Sequence, residues 1–94
     1  MGFDWMIAFT MLLEFLQECM ENRSRADIEA GIRNPGLREV MALRYVLRRK
    51  FGLRGRELRD AVKEGVEYGR EISDRVLTDM LDEAAAIKVV ATDA

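Results

Sequence analysis

A small all-α bundle of four longer helices and one short one is the fold this sequence predicts, and three observations predict it. Apolar residues recur at helical spacing through every long segment. The 94 residues contain one proline, and the composition favours helix formers over β-branched residues. The breaks between periodic segments are only a few residues long, which favours antiparallel helical neighbours. At this length the chain is read as one domain, residues 1–94, with a modest core. Its 49% hydrophobic and 34% charged content suits a water-soluble helical protein.

The first helix spans Asp4 to Glu21 and is the most hydrophobic stretch of the chain. Thr10, Glu14, Gln17, Glu18 and Glu21 fall on one narrow side. Trp5, Phe9, Leu12, Leu13, Phe15, Leu16, Cys19 and Met20 spread over the remaining arc, roughly 220° wide by helical geometry. An ordinary surface helix needs only about 100° of apolar face. The helix therefore has neighbours on at least two sides, as a central core helix or as part of a subunit interface. Trp5, Phe9, Leu12, Leu13 and Leu16 are the candidate interface residues. Cys19 sits within the apolar arc and reads as a small buried hydrophobe.

Ser24 is placed to cap a second, short helix, with Asp27 completing a capping-box variant. Ile28 and Ile32 are its apolar pair, and Gly31 with Asn34-Pro35-Gly36 ends it. Asn34 as N-cap and Pro35 at the first position then start a third helix, Pro35 to Phe51, which Gly52 stops. Leu37, Val40, Leu43, Leu47 and Phe51 are expected on its buried side, with Met41 at the margin. Arg44 and Arg48 fall inside that sector, so each either snorkels or pairs with a carboxylate. Glu14 and Glu18 have the matching spacing on the first helix.

The fourth helix starts at Arg54 or Gly55, with Leu53 and Leu58 as a hydrophobic staple. Its apolar residues are Leu58, Ala61, Val62, Gly65, Val66, Gly69 and Ile72. Gly65 and Gly69, in register with Ala61, leave a shallow groove for a close helix neighbour or mark a hinge. Ser73 caps the fifth helix, in which Val76, Leu77, Met80, Leu81, Ala84 and Ile87 form a stripe. Residues 88–94 are expected to fray as a tail.

The net charge of −2 conceals three blocks. Residues 1–32 carry −4, residues 33–63 carry +7 and residues 64–94 carry −5. Either the blocks neutralise one another within the chain or across a dimer, or the basic one is a phosphate-binding patch. In the second case Arg48, Arg49, Lys50, Arg54, Arg56 and Arg59 are the candidate nucleic-acid residues. Met41 to Lys63 can be drawn as helix–turn–helix around Phe51-Gly52-Leu53, although Arg48 stands where a small buried residue is usual.

Catalytic signals are nearly absent. The chain has no histidine, so the commonest general base and metal ligand is missing. Ser24 and Ser73 read as helix caps, and no glycine-rich phosphate loop follows a strand. Glu14 with Glu18, or Asp79 with Glu83, could pair carboxylates, but carboxylate-bridged metal bundles normally add histidine. No enzyme activity, cofactor or metal is expected. The acid at Asp4 and the charged residues within the first helix argue against a signal peptide and a membrane span. The sequence thus points to a cytoplasmic, non-catalytic helical interaction module that self-associates, most simply as a dimer. The alternative is a small nucleic-acid-binding regulator.

Overall fold

The computed structural model describes residues 4–19 and 24–93, with the side chains of Cys19 and residues 87–93 left aside. The expectations for Cys19, Met20, Glu21 and Ile87 lie outside the described residues. Five helices follow in order: α1 (Trp5–Cys19), α2 (Arg25–Arg33), α3 (Leu37–Phe51), α4 (Gly55–Glu71) and α5 (Asp74–Asp93). No strand occurs among the described residues. The small all-α bundle is therefore the fold of this chain.

Helix α1 is the central helix. Asp4 starts it: its carboxylate accepts from the Met6 and Ile7 backbone N–H groups at 3.1 and 3.3 Å, satisfying donors that have no partner within the helix. Trp5, Ala8, Phe9, Leu12, Leu13 and Leu16 are all buried. They pack chiefly against α5 and α3, with α2 at a third side. The facing residues are Leu77, Met80, Leu81 and Ala84 of α5 and Ala42, Leu43, Val46 and Leu47 of α3. Of the two explanations for the wide apolar arc, the chain adopts the first: it covers that arc itself.

Helix α2 begins at Ser24, whose hydroxyl accepts from the Asp27 N–H at 3.2 Å, and buries Ile28 and Ile32. Gly31 does not end it. The glycine lies inside the helix, with Glu39 packed against it: an added Cβ would stand 2.9 Å from Glu39 Oε2. The same carboxylate accepts the Gly36 N–H at 2.9 Å through Oε1. This contact makes Gly36 the N-cap of α3, so the helix begins at Leu37 rather than Pro35. Asn34 instead closes α2, donating its N–H to the Ala30 carbonyl at 2.9 Å.

Helix α2 also ties the bundle together through its two terminal arginines. Arg33 donates to the carbonyls of Gly69 and Arg70 at 3.3 Å each, to that of Ile72, and to the Asp74 carboxylate at 2.6 Å. One guanidinium thus satisfies the exposed carbonyl end of α4 and holds the first residue of α5. At the other end, Arg25 reaches the Thr78 carbonyl at 3.1 Å and Asp82 at 2.7 Å.

Gly52, at φ 70°, stops α3 in the left-handed region that glycine adopts without steric cost. Arg54 is the N-cap of α4 but contributes no side-chain bond. Leu58 is buried and Leu53 half-buried, as a staple requires. Gly65 and Gly69 are both buried and provide close approach. A Cβ at Gly65 would lie 2.9 Å from the Trp5 ring, and one at Gly69 would lie 3.0 Å from the Ile32 carbonyl. Trp5 fills the space so left, donating its indole N–H to Glu64 at 3.1 Å and stacking on Tyr68 at 6.0 Å. Partial burial, and secondarily the charge of Asp4, push the Tyr68 hydroxyl pKa up.

In α5, Ser73 accepts from the Val76 N–H at 3.2 Å, as its capping role requires. The helical backbone runs to Asp93, where the sequence suggested a tail from residue 88; Ala94 lies outside the described residues. No helix among the described residues is long and apolar enough to cross a membrane.

Candidate interaction surface

Five large hydrophobic side chains are exposed among the described residues: Met6, Ile7, Leu37, Met41 and Tyr45. All five lie on α1 and α3. Exposed apolar surface is informative where it is contiguous rather than scattered singly.

The α3 part arises from how that helix is turned. Its buried residues are Ala42, Leu43, Val46 and Leu47, which centre the core-facing arc between Leu43 and Val46. Leu37 is therefore 79% exposed and Met41 57% exposed, although both were expected at or beside the buried side. Leu37, Met41 and Tyr45 are spaced by four and share one outer face. Arg44 and Arg48 fall in the same outer sector and are exposed. Neither forms an ion pair among the described residues, whose pairs are Arg25–Asp82, Arg33–Asp74 and Arg59–Asp60. The expected pairing of Arg44 and Arg48 with Glu14 and Glu18 is thus not made. The two arginines were the sign that this sector faces water, and the leucine and methionine beside them obscured it.

The α1 part consists of Met6 and Ile7, exposed, with Thr10, Met11, Glu14 and Phe15 half-buried beside them. A groove separates the two helices, lined by Met11, Glu14, Phe15, Glu18, Tyr45, Val46 and Lys50. Phe15 and Tyr45 close its floor by stacking, with centroids 5.0 Å apart and planes at 21°. The Arg49 guanidinium carbon lies 5.9 Å from the Tyr45 ring centroid, within cation–π range. A second depression shares Met11 and Glu14 with the groove and extends over Met6, Ile7 and Thr10 to Asp4 and Glu83. The two depressions therefore adjoin at Met11 and Glu14, while Leu37 and Met41 lie on α3 beyond both linings.

Its charge is split. Asp4, Glu14, Glu18 and Glu83 lie on the α1 side; Arg44, Arg48, Arg49 and Lys50 lie on the α3 side. The groove itself is lined by Glu14 and Glu18 of α1 and Lys50 of α3, and none of the three forms an ion pair within 4.0 Å among the described residues.

The five residues expected at an interface lie elsewhere. Trp5, Phe9, Leu12, Leu13 and Leu16 are at most 8% exposed and belong to the intrachain core. The exposed residues of the same helix are Met6, Ile7 and Glu18. Of the six candidate phosphate-binding cations, Arg48, Arg49 and Lys50 end α3, Arg54 precedes α4, and Arg56 and Arg59 lie in its first turns. All six are exposed, and Arg59 reaches Asp60 only at 4.0 Å.

Both candidate serine hydroxyls are occupied as helix caps. No group of three or more metal-ligating side chains occurs among the described residues. The surface carries exposed apolar side chains with charged residues of both signs beside them. In comparison with protein families, curated proteins and solved structures, the chain matches none.

Proposed function

We propose that this chain is a non-catalytic protein-interaction module whose working surface is the outer face of α1 and α3. One observation carries the reading: every exposed large hydrophobic side chain among the described residues lies on those two helices. The apolar stretch supplies area to bury, and the flanking charges fix orientation and steer encounter.

The test places a photo-crosslinking amino acid at Met41, on the surface, and separately at exposed Asp79 of α5. Expressed in its native host, the Met41 variant is expected to give discrete protein adducts that Tyr45→Lys abolishes. The Asp79 variant should give none. Equal adduct patterns from both positions would overturn the assignment.

A second reading is favoured by the short turn from Gly52 to Arg54, which joins α3 to α4 with the six candidate cations exposed around it. On that reading the segment grips nucleic-acid phosphates. Its mark is duplex affinity that falls steeply with salt and is weakened by Arg54→Ala or Arg56→Ala without loss of fold. The acids of α1 next to the arginines of α3 favour a protein partner, because they repel phosphate.

A further inference from the structure

We infer that the occupant of this surface is a second copy of the chain, related by a two-fold axis running along the α1–α3 groove. The inference rests on reading the surface as a docking face, and it names the partner. Its basis is the split of charge across that groove.

A half-turn about an axis lying along the groove exchanges its two banks. The α1 side of each copy then faces the α3 side of the other. Phe15 and Tyr45, stacked across the groove floor, mark the same height on both helices and stay near the axis. Glu14 and Glu18 flank Phe15 by one position and three; Arg48 and Arg49 flank Tyr45 by three and four. The exchange turns the α1 side of each copy, with Glu14 and Glu18, toward the α3 side of the other, which carries Arg48, Arg49 and the groove-lining Lys50. None of these groups forms an ion pair among the described residues. Tyr45, exposed on the α3 bank, is brought into the contact and loses water there, with Met41 one turn before it on the same helix face.

Other pairings of the same surface are worse. An axis across the groove would set α1 against α1 and α3 against α3, juxtaposing acids with acids and arginines with arginines, which like-charge repulsion opposes. An arbitrary head-to-tail contact would leave half of each charged bank facing water and would not close. The exchanged two-fold arrangement uses both banks twice.

The test is charge reversal with complementation, read by light scattering or sedimentation on the full chain. The wild type is expected to dimerise, and more weakly as salt is raised. Glu14→Arg with Glu18→Arg in one variant, and Arg48→Glu with Arg49→Glu in another, should each weaken the dimer by at least about tenfold. Equimolar mixing of the two should restore a heterodimer, since the reversed acids of one meet the reversed bases of the other. Circular dichroism checks that each variant folds. If a double variant does not, the single substitutions Glu18→Arg and Arg48→Glu, both at exposed positions, carry the same comparison.

A wild type that stays monomeric at the highest soluble concentration overturns the second-copy inference, while the crosslinking at Met41 still judges the surface. A dimer indifferent to Met41→Asp and to both charge reversals overturns the surface assignment itself. A dimer broken by Met41→Asp, whose charge variants fail to complement, leaves the surface standing and overturns the two-fold exchange.

Discussion

At the scale of single residues, Gly65 sets the distance between α4 and the centre of the bundle. Propensity alone says that alanine there would help the helix by about 1 kcal/mol. Packing says the reverse. The added carbon would meet Leu43 at 2.8 Å and the Trp5 ring at 2.9 Å, and overpacking of a filled core costs typically about 1–3 kcal/mol. Leu43 can rotate away, but Trp5 is held by Glu64 and by its stack on Tyr68. Gly65→Ala is accordingly expected to lower the melting temperature, with a shift in the tryptophan emission; a rise would mean that the seam is looser than its distances. The spacing of Gly65 and Gly69 made this close approach legible in the sequence. The neighbour it serves was not, because Trp5 lies sixty positions earlier and no local pattern links the two.

Among the elements, α2 contributes more than its length suggests. It buries only Ile28 and Ile32, yet Arg33 closes the end of α4 and grips the start of α5. Arg33→Ala should destabilise the fold by about 1.5–3 kcal/mol, the range for hydrogen bonds to a charged group. Arg33→Lys should recover only part of this, since a single ammonium cannot span the fork of partners that a guanidinium reaches. Chemical denaturation of the three proteins measures both, and equal stability of wild type and alanine variant would show that water replaces the arginine. The caps at Ser24 and Ser73 could be read from sequence because a cap and its donor are three residues apart. Arg33 could not: its partners stand 36 to 41 positions away. The rotation of α3 was hidden for a different reason. Leu37 and Met41 match a buried helical stripe as well as Leu43 and Leu47 do, and only tertiary packing shows which edge of a wide apolar arc is covered.

For the molecule as a whole, the core is a single cluster that draws on all five helices, with a radius of gyration of 12.7 Å, close to the roughly 13 Å of a folded chain near this size. Such a core should unfold in one step. Helical circular dichroism and Trp5 fluorescence are expected to give coincident transitions, the emission moving to the red as the 8%-exposed indole reaches water. Leu16→Ala, at the centre of the cluster, should cost about 2–5 kcal/mol in both signals alike. Separated transitions would show that α1 and its partners come apart in stages. The same wiring has a consequence for how the protein is made. Helix α1 is synthesised before the other four helices, and the helix against which it packs most extensively is α5, which begins only at Asp74. Until that segment emerges, the most apolar helix of the chain lacks its main cover. Vectorial synthesis therefore exposes a sticky intermediate that refolding of the whole chain from denaturant need not pass through, and a stalled nascent chain ending before α5 is the form of this protein with most need of a chaperone.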